Sequence, residues 1–453
     1  MIAKSKWPII PHETLLSLAV LILVHIVISC ASLVYVSYAS SAPNPPYFTL
    51  PSHFNASSYH IFYDHSRVYD AIATVGTFAI TSLLFTVAGF SFGYLVGFYL
   101  YTMILTYLWL GGFSDLIYNH KLASFSAATS AVAFLVPALL VTAPAPRTYT
   151  LSARALEHGL AVILLIAIAT IAIGGLYNFR FIDLGQVYEI RNKLQFPTIL
   201  NYMIGITSTA LLPFAFACFT LQKRPWRGVA TLLLLLLFYP VTLNKFAFFT
   251  PLWIFALLLI SRTFSARTSV LLSLLLPTLL GFLFVFFQSD LPTLVLKWGT
   301  QYFFWVNFRV FAIPGTAMDV YNDFFSKHEL TYFCQISVLK PFIACPYTDP
   351  LSVVMERNYH LGNFNASLFA TEGIASVGPL FAPALALVCG LIIALGNRVS
   401  AGLPPAFVLI SGGVLSQALL NVPLSTIMLT HGGGILFLLW YVTPREIFEL
   451  NSA

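Results

Sequence analysis

Residues 289–373 form the longest stretch of this chain that cannot lie in a hydrocarbon layer, and they hold a large share of its ionisable side chains. Carboxylate and imidazole groups in such a stretch can accept a proton from a hydroxyl nucleophile, and arginine can bind phosphate oxygens. The candidate proton acceptors are Glu356, His360 and Glu372. The candidate phosphate ligands are Arg309 and Arg357. The sequence therefore predicts water-soluble chemistry in this stretch.

A second hydrophilic segment, YNFRFIDLGQVYEIRNKLQFP at residues 177–197, also concentrates charge. Its Arg191 and Lys193 are candidate phosphate ligands. Lys245 is a third candidate and lies within the apolar stretch 229–261. A lysine near the centre of a membrane span costs roughly 3 kcal/mol, so Lys245 must reach water or a partner. A substrate-binding role is predicted for all three cations.

The composition indicates what surrounds these segments. Of 453 residues, 58% are hydrophobic and only 8% are charged, and the mean hydropathy is +0.86. Soluble globular domains carry about 25% charged residues, so that class is excluded. Apolar runs of about 20 residues, separated by short polar stretches, predict helical spans rather than a barrel. The predicted fold class is an all-α polytopic membrane protein, with residues 1–453 as a single transmembrane domain.

Hydropathy and charge predict about twelve transmembrane helices with both termini in the cytoplasm. The first apolar run, 14–35, is too long for the hydrophobic region of a signal peptide and is predicted to be a span. The run 68–113 is too long for one helix and is divided near Gly89–Gly93. The other predicted spans are 123–142, 159–176, 198–221, two within 229–261, 270–288, 377–395, 404–421 and 424–442.

This topology makes 177–197 and 289–373 two enlarged loops on the non-cytoplasmic side. Cations on the cytoplasmic side fall in short loops, as the positive-inside tendency requires, whereas long loops translocate largely regardless of charge. The net charge of +6 therefore reflects topology rather than affinity for nucleic acid. Cations kept on the non-cytoplasmic side predict an anionic, lipid-linked ligand.

The five cysteines show no CxxC pair and no spacing typical of a His/Cys metal site, so no metal centre is predicted. Cys30, Cys218 and Cys389 lie in apolar spans and are interpreted as small buried side chains. Cys334 and Cys345 flank a short part of the long loop. A disulfide between them is predicted if this loop lies in an oxidising compartment outside the cytoplasm.

Three features of the sequence match the pattern of a known family. The first enlarged loop ends in YEIRNKLQFP, and a short mid-chain hairpin carries a basic residue, Lys245, in TLNKFAFF. The long loop re-enters the membrane through the Asn-rich NYHLGNFNASLFATEGIASVGPL. Over about residues 160–440 the chain thus resembles the Wzy-type polymerases of bacterial surface polysaccharides, which are related to the O-antigen ligases. The family usually has arginine at the hairpin, and lysine supplies a point charge without a bidentate fork.

The resemblance implies an enzyme of the bacterial inner (cytoplasmic) membrane whose active site faces the periplasm. Its reaction would transfer a growing glycan from one undecaprenyl diphosphate carrier to the sugar of another, without a metal, nucleotide or other cofactor. The implied partners are the lipid-linked donor and acceptor oligosaccharides and membrane lipid, with no nucleic acid, and a chain-length regulator is left open. Asn363 and Asn365 of the Asn-rich segment are assigned to substrate binding.

The candidate residues suit such a transfer chemically. Cations placed against a diphosphate stabilise it as it leaves, and a carboxylate or imidazole can take the proton of the acceptor hydroxyl. Each assignment also has a structural alternative. A loop cation can contact lipid headgroups, and Glu372 can stabilise the N-terminus of the helix that follows it.

Three other functions compete with polymerisation. An O-antigen ligase is the nearest, because His360 lies where a ligase histidine would be expected. A polyprenyl-phosphate-sugar glycosyltransferase usually carries an acidic pair in its first external loop, where this chain has only Asp64 before Asp70. A transporter would be expected to show internal repeats and ionisable groups at mid-membrane. The sequence shows no such repeat, and its charges collect outside the spans.

Overall fold

The computed structural model describes residues 14–41, 59–182, 194–336, 338–362, 364 and 366–449. Within these ranges the regular structure is helical, and the one strand-like contact is an isolated bridge between Ile61 and Ser114. Ten of the described helices are long and apolar enough to cross a membrane. The prediction of an all-α polytopic membrane protein is confirmed at this level.

The ten candidate spans are α1 (Leu15–Ser41), α2 (His65–Val87), α3 (Phe92–Phe113), α4 (His120–Leu140), α5 (Ala153–Tyr177), α6 (Thr198–Leu221), α7 (Pro225–Thr242), α8 (Lys245–Thr263), α9 (Ala266–Phe286) and α12 (Phe369–Ser400). Between the last two lie α10, which joins Thr293–Phe303, Phe304–Ala312 and Ile313–Phe325, and α11 (Leu351–Tyr359). The shorter helices that follow are α13 (Pro405–Ala418), α14 (Leu424–Leu429), α15 (Gly433–Val442) and α16 (Glu446–Glu449).

Each of the first ten predicted spans overlaps one of these helices, and the breaks between them have local causes. The apolar run 68–113 divides at residues 88–91, close to the predicted position. There Ser91 caps α3, because its hydroxyl accepts a hydrogen bond from the Tyr94 N–H at 3.1 Å.

The hairpin of α7 and α8 turns at two residues. Leu243 ends α7 with a left-handed φ of 49°, and Asn244 caps α8 by accepting a hydrogen bond from the Phe246 N–H at 3.0 Å. Lys245 is consequently the first residue of α8. The cation thus lies at the end of a span, where its long side chain can leave the hydrocarbon region.

The last two predicted spans are shorter or interrupted in the structure. α13 has 14 residues, and the predicted span 424–442 is divided into α14 and α15. The break lies at residues 430–432, where Gly432 has a positive φ of 82° that an α-helix does not contain. Neither segment belongs to the ten helices that are long enough to cross a membrane alone.

α3 is the central helix, since every residue from Phe92 to Leu110 is buried. Close approach of α4 depends on Gly93, where a Cβ would lie 1.9 Å from the Ala138 carbonyl oxygen. The Asn397 amide of α12 joins both helices: it accepts a hydrogen bond from the Gly93 N–H at 2.6 Å and donates one to the Ala138 carbonyl at 2.8 Å. Small residues and a shared polar side chain thus hold three helices together.

The long hydrophilic stretch is largely helical rather than an irregular loop. α10 packs inside the bundle, and all 13 residues of Ile313–Phe325 are buried, with α3 as one neighbour. The charges of α10 obscured its apolar pattern in the sequence. The predicted disulfide between Cys334 and Cys345 is confirmed in the segment after α10, where the two Cα atoms lie 5.2 Å apart.

Gly93→Ala is expected to lower the thermal stability of the protein, because the added methyl group would overlap the Ala138 carbonyl. Overpacking of this kind costs about 1–3 kcal/mol. The matched control is Gly159→Ala in α5, where a Cβ meets nothing within 4 Å. Thermal unfolding in detergent, followed by size-exclusion chromatography of the remaining folded protein, measures both. Equal melting temperatures for the two variants would contradict the close contact of α3 and α4.

Candidate active site

Two carboxylates lie on one face of α10 and are removed from solvent. Asp319 and Asp323 are four residues apart, which places them on the same side of the helix, and their residues are only 2% and 4% exposed. A buried carboxylate requires hydrogen-bond donors, since an unpaired buried charge costs several kcal/mol. Several different parts of the chain supply these donors.

Asp319 is bound by the connection between α3 and α4. One carboxylate oxygen accepts a hydrogen bond from the Ser114 hydroxyl at 2.6 Å, and the other accepts a short one from the Tyr118 hydroxyl. Burial raises the pKa of Asp319 to about 6, and the negative charge of Asp323 adds to the rise, whereas the two hydroxyls and His120 oppose it. Asp319 therefore holds its proton to a higher pH than an exposed aspartate does.

Asp323 joins three segments through its two oxygens. Oδ1 accepts hydrogen bonds from the Lys327 ammonium at 2.6 Å and from the Ile117 N–H at 3.1 Å. Oδ2 accepts one from the Tyr359 hydroxyl at 2.6 Å, at the end of α11. Burial, followed by the bond to Asp323, raises the pKa of Tyr359, so the phenol stays protonated and keeps donating.

α11 carries three of the predicted site residues, and they lie in different surroundings. Glu356 is half-buried, and within the described residues its carboxylate has no hydrogen bond or ion pair. Arg357 is bound instead to Asp349 at 2.6 Å and is 66% exposed. His360 ends the helix with a left-handed φ of 55° and is exposed. Among the described residues, neither Arg357 nor His360 forms a hydrogen bond or an ion pair with the Glu356 carboxylate.

Glu372 lies in the first, π-helical turns of α12 and is 7% exposed. Its Oε1 accepts hydrogen bonds from the Ser425 N–H at 2.8 Å and from the Ser425 hydroxyl at 2.7 Å. Oε2 is buried and has no hydrogen-bond partner among the described residues. Glu372 thus binds the first turn of α14, which agrees with a structural role at a helix end. The sequence predicted this role at the helix that contains Glu372, α12, and not at α14.

The predicted cation Lys245 contacts the middle of α10, which carries a second predicted cation, Arg309. The Lys245 ammonium lies 4.1 Å from the centroid of the Trp305 ring, a cation–π contact worth about 0.5–2 kcal/mol. Arg309 follows Trp305 by four residues in the π-helical part of α10. The start of α8 therefore contacts the part of α10 that also carries Arg309. We refer to Lys245 and Arg309 as the cation pair.

Two described residues of the first hydrophilic segment, Ile182 and Leu194, contact the end of α7, which is close to Lys245 in the sequence. Ile182 and Leu194 both pack against Tyr239 and Leu243, the latter two residues before Lys245. The Tyr239 hydroxyl also donates a hydrogen bond to the Ile182 carbonyl at 2.5 Å. The predicted residues Arg191 and Lys193 lie outside the described residues, as do Asn363 and Asn365.

Aromatic residues before α2 connect the cation pair with α11. The Tyr59 ring lies 5.2 Å from that of Phe308, which precedes Arg309, and 6.4 Å from that of Phe364. The ring of the next residue, His60, lies 6.5 Å from that of Tyr359. The two cations, the acidic face of α10 and the helix of Glu356 thus belong to one continuous region.

Sequence reasoning missed Asp319 and Asp323 as site residues, although both lie in the hydrophilic stretch 289–373. A usable signal was present, because they are four residues apart in AMDVYNDFF, where apolar residues surround both. Their hydroxyl partners Ser114 and Tyr118 carried no comparable signal, since these residues come from a distant part of the chain.

The charge of Asp319 can be followed directly by infrared spectroscopy. We expect the carboxyl stretching band of protonated Asp319, identified by its loss in Asp319→Asn, to disappear with a midpoint near pH 6. Ser114→Ala should raise the midpoint, because it removes a hydrogen bond to the charged form. Asp323→Asn should lower it, because it removes a neighbouring negative charge. Glu329→Gln, an exposed carboxylate, is the control that should leave it unchanged.

The same raised pKa predicts the direction of a stability change. A folded state that favours the protonated carboxyl gains stability at low pH and loses it as the pH rises through about 6. The melting temperature of the natural protein should therefore fall relative to that of Asp319→Asn as the pH rises from 3.8 to about 6. An unshifted midpoint near 3.8, or changes of opposite sign in the variants, would contradict the geometry described for Asp319.

The described residues contain no group of three or more His, Cys, Asp or Glu side chains arranged to hold a metal ion. Their arrangement can bind an anion at the cation pair and exchange a proton at a carboxylate. Comparison with known proteins adds nothing to this geometry, since no family model, curated protein or solved structure matches the chain.

Proposed function

We propose that this chain is a metal-independent glycosyltransferase that polymerises lipid-linked oligosaccharide repeat units. It transfers a glycan from one undecaprenyl diphosphate carrier to the sugar of another, at the periplasmic face of the bacterial inner membrane. The observation that carries the proposal is the contact of Lys245, in the first turn of a candidate span, with Trp305, four residues before Arg309 on α10. A diphosphate attached to a membrane lipid is the anion that reaches such a position.

The cation pair suits the departure of a lipid diphosphate. Negative charge grows on the diphosphate as the glycosidic bond breaks, and positioned cations stabilise that charge more than they stabilise the ground state. The N-terminus of α8 adds its partial positive charge at Lys245. Arg191 and Lys193 are assigned to the same anion, because both ends of their segment are attached beside Lys245.

Glu356 is the general base in this proposal. Its half-buried carboxylate has no partner among the described residues and is free to accept the proton of a sugar hydroxyl. Tyr359, on the same helix, fixes α11 to Asp323 and thereby acts as a positioning residue. Glu372 has one oxygen committed to Ser425, which favours a structural role for it. Arg357 and His360, with Asn363 and Asn365, are assigned to the acceptor side of the site.

The proposed topology has twelve spans. It adds α13 and the segment 424–442 to the ten candidate spans, so that both termini lie in the cytoplasm and both hydrophilic segments lie in the periplasm. The disulfide of Cys334 and Cys345 supports a periplasmic position for the longer segment, because the periplasm is oxidising and the cytoplasm is reducing.

Deletion of the gene, followed by gel analysis of the surface glycan, tests the reaction. A polymerase predicts that the ladder collapses to single repeat units. Loss of all lipid A-attached glycan would identify the ligase alternative, to which the exposed His360 would then belong. An unchanged ladder would contradict both enzymes.

Complementation of the deletion tests the cation pair. Lys245→Ala and Arg309→Ala should each lower the polymerisation rate about a hundredfold, equivalent to about 3 kcal/mol of transition-state stabilisation. Lys245→Arg should restore most of the rate, because it keeps the charge and can still lie over Trp305. Lys121→Ala, an exposed lysine at the start of α4, is the control. Normal ladders from both alanine variants would show that the cations only contact headgroups.

The two glutamates should respond differently to the same change. Glu356→Gln is expected to lower the rate by at least about a hundredfold, because an amide keeps the shape but cannot accept the proton. Glu372→Gln should remain active, since its amide oxygen can still accept both bonds from Ser425, whereas Glu372→Ala should lower the amount of folded protein. Membrane assays at matched expression measure these rates. A reversed order of the two Gln variants would move the base to Glu372.

A further inference from the structure

An apolar groove runs along the membrane-facing side of the protein between α8, α9 and the first part of α10. Its volume is about 270 Å³, and its walls include Trp253, Ala256, Ile260, Leu276, Leu280 and Tyr302. Because α8 and α9 are both candidate spans, the groove lies at the depth of the membrane. Pockets for compact ligands usually measure about 300–1,000 Å³, so this one is small and suits part of a chain.

The groove is open to the side and its walls are chemically apolar. Leu276 and Leu280 form its rim and are 46% and 45% exposed. The two hydroxyl groups in the wall are used within the protein: Ser273 is bonded to Tyr99 at 2.8 Å, and Tyr302 donates to the Pro277 carbonyl at 3.2 Å. A ligand in the groove therefore meets hydrocarbon surface, and the hydrocarbon region of the membrane is its source.

The groove and the cation pair lie on the same two helices, α8 and α10. Tyr302 precedes Trp305 by three residues on α10, and α8 begins at Lys245. With a rise of about 1.5 Å per residue, Trp253 lies about 12 Å and Ile260 about 22 Å along α8 from Lys245. An anionic headgroup at Lys245 and Arg309 would thus have its hydrocarbon chain directed into the groove.

We propose that this groove binds the first isoprenoid units of a polyprenyl diphosphate whose headgroup contacts Lys245 and Arg309. The assignment rests on the proposed function and specifies where its lipid carrier lies. Charge complementarity selects an anionic lipid, and a single narrow groove accepts one chain. A polyprenyl carrier has one chain, whereas a diacyl phospholipid has two and would leave the second outside.

Photo-crosslinking tests the assignment. A polyprenyl diphosphate with a diazirine on its first isoprenoid units is added to the purified protein in nanodiscs, and the adducts are mapped by mass spectrometry. We expect adducts at Leu276, Leu280 and the groove side of α8. Ala256→Trp and, independently, Leu280→Trp should fill the groove and lower these adducts at least tenfold. Ala169→Trp, at an exposed position of α5 outside the groove, should leave them unchanged. Lys245→Ala should lower the total labelling.

A phosphatidic acid with a diazirine in one acyl chain is the comparison probe. Equal labelling of the groove by this lipid would identify a general lipid contact and overturn the assignment. Polyprenyl adducts that fall elsewhere, in a protein that still polymerises, would overturn it while leaving the proposed function in place. If adducts form in the groove but deletion of the gene leaves the glycan ladder unchanged, the lipid-binding assignment is supported and the proposed polymerase function is contradicted.

Discussion

Burial of Asp319 and Asp323 imposes a constraint on which the other parts of the site depend. Two carboxylates in a buried helix need donors, and Ser114, Tyr118 and Tyr359 provide three of them. The connection after α3 and the end of α11 are held against α10 in this way. For α11 the constraint is strong, because Leu351 and Met355 are its only fully buried residues among those described. Few apolar contacts would otherwise keep this helix in place.

The position of these carboxylates follows from a close contact one turn earlier. A Cβ at Gly315 would lie 2.8 Å from the Thr106 methyl group and 2.9 Å from the Tyr107 nitrogen, so only glycine lets α10 approach α3 this closely. Asp319 follows by four residues and thereby comes within reach of the connection that leaves α3. The contact between two helices and the hydrogen bonds at their ends are therefore parts of one arrangement.

The sequence predicted the features that local patterns determine. Ten spans were located by hydropathy, and the Cys334–Cys345 pairing was expected from compartment chemistry. The sequence did not reveal that the long hydrophilic stretch is largely helical. The hydroxyl groups that bind Asp319 and Asp323 come from Ser114, Tyr118 and Tyr359, which are far away in the sequence. Lys245 illustrates both cases: its need for water or a partner was predictable, whereas its contact with Trp305 depends on the packing of α10 beside α8.

α10 changes its helix type between the cation pair and the two buried carboxylates. This change affects the directions in which the two sets of side chains point. Trp305 and Arg309 lie in its π-helical part, whereas Asp319 and Asp323 lie in the regular α-helix that follows. A π-helix has more residues per turn, so it rotates successive side chains by a smaller angle and shifts the following face. The cation pair's Arg309 and the two carboxylates nevertheless belong to one continuous helical run, which packs on α3 and α9. An anion held at the cation pair consequently has a fixed position relative to Asp323 and to the helix that Tyr359 fastens there.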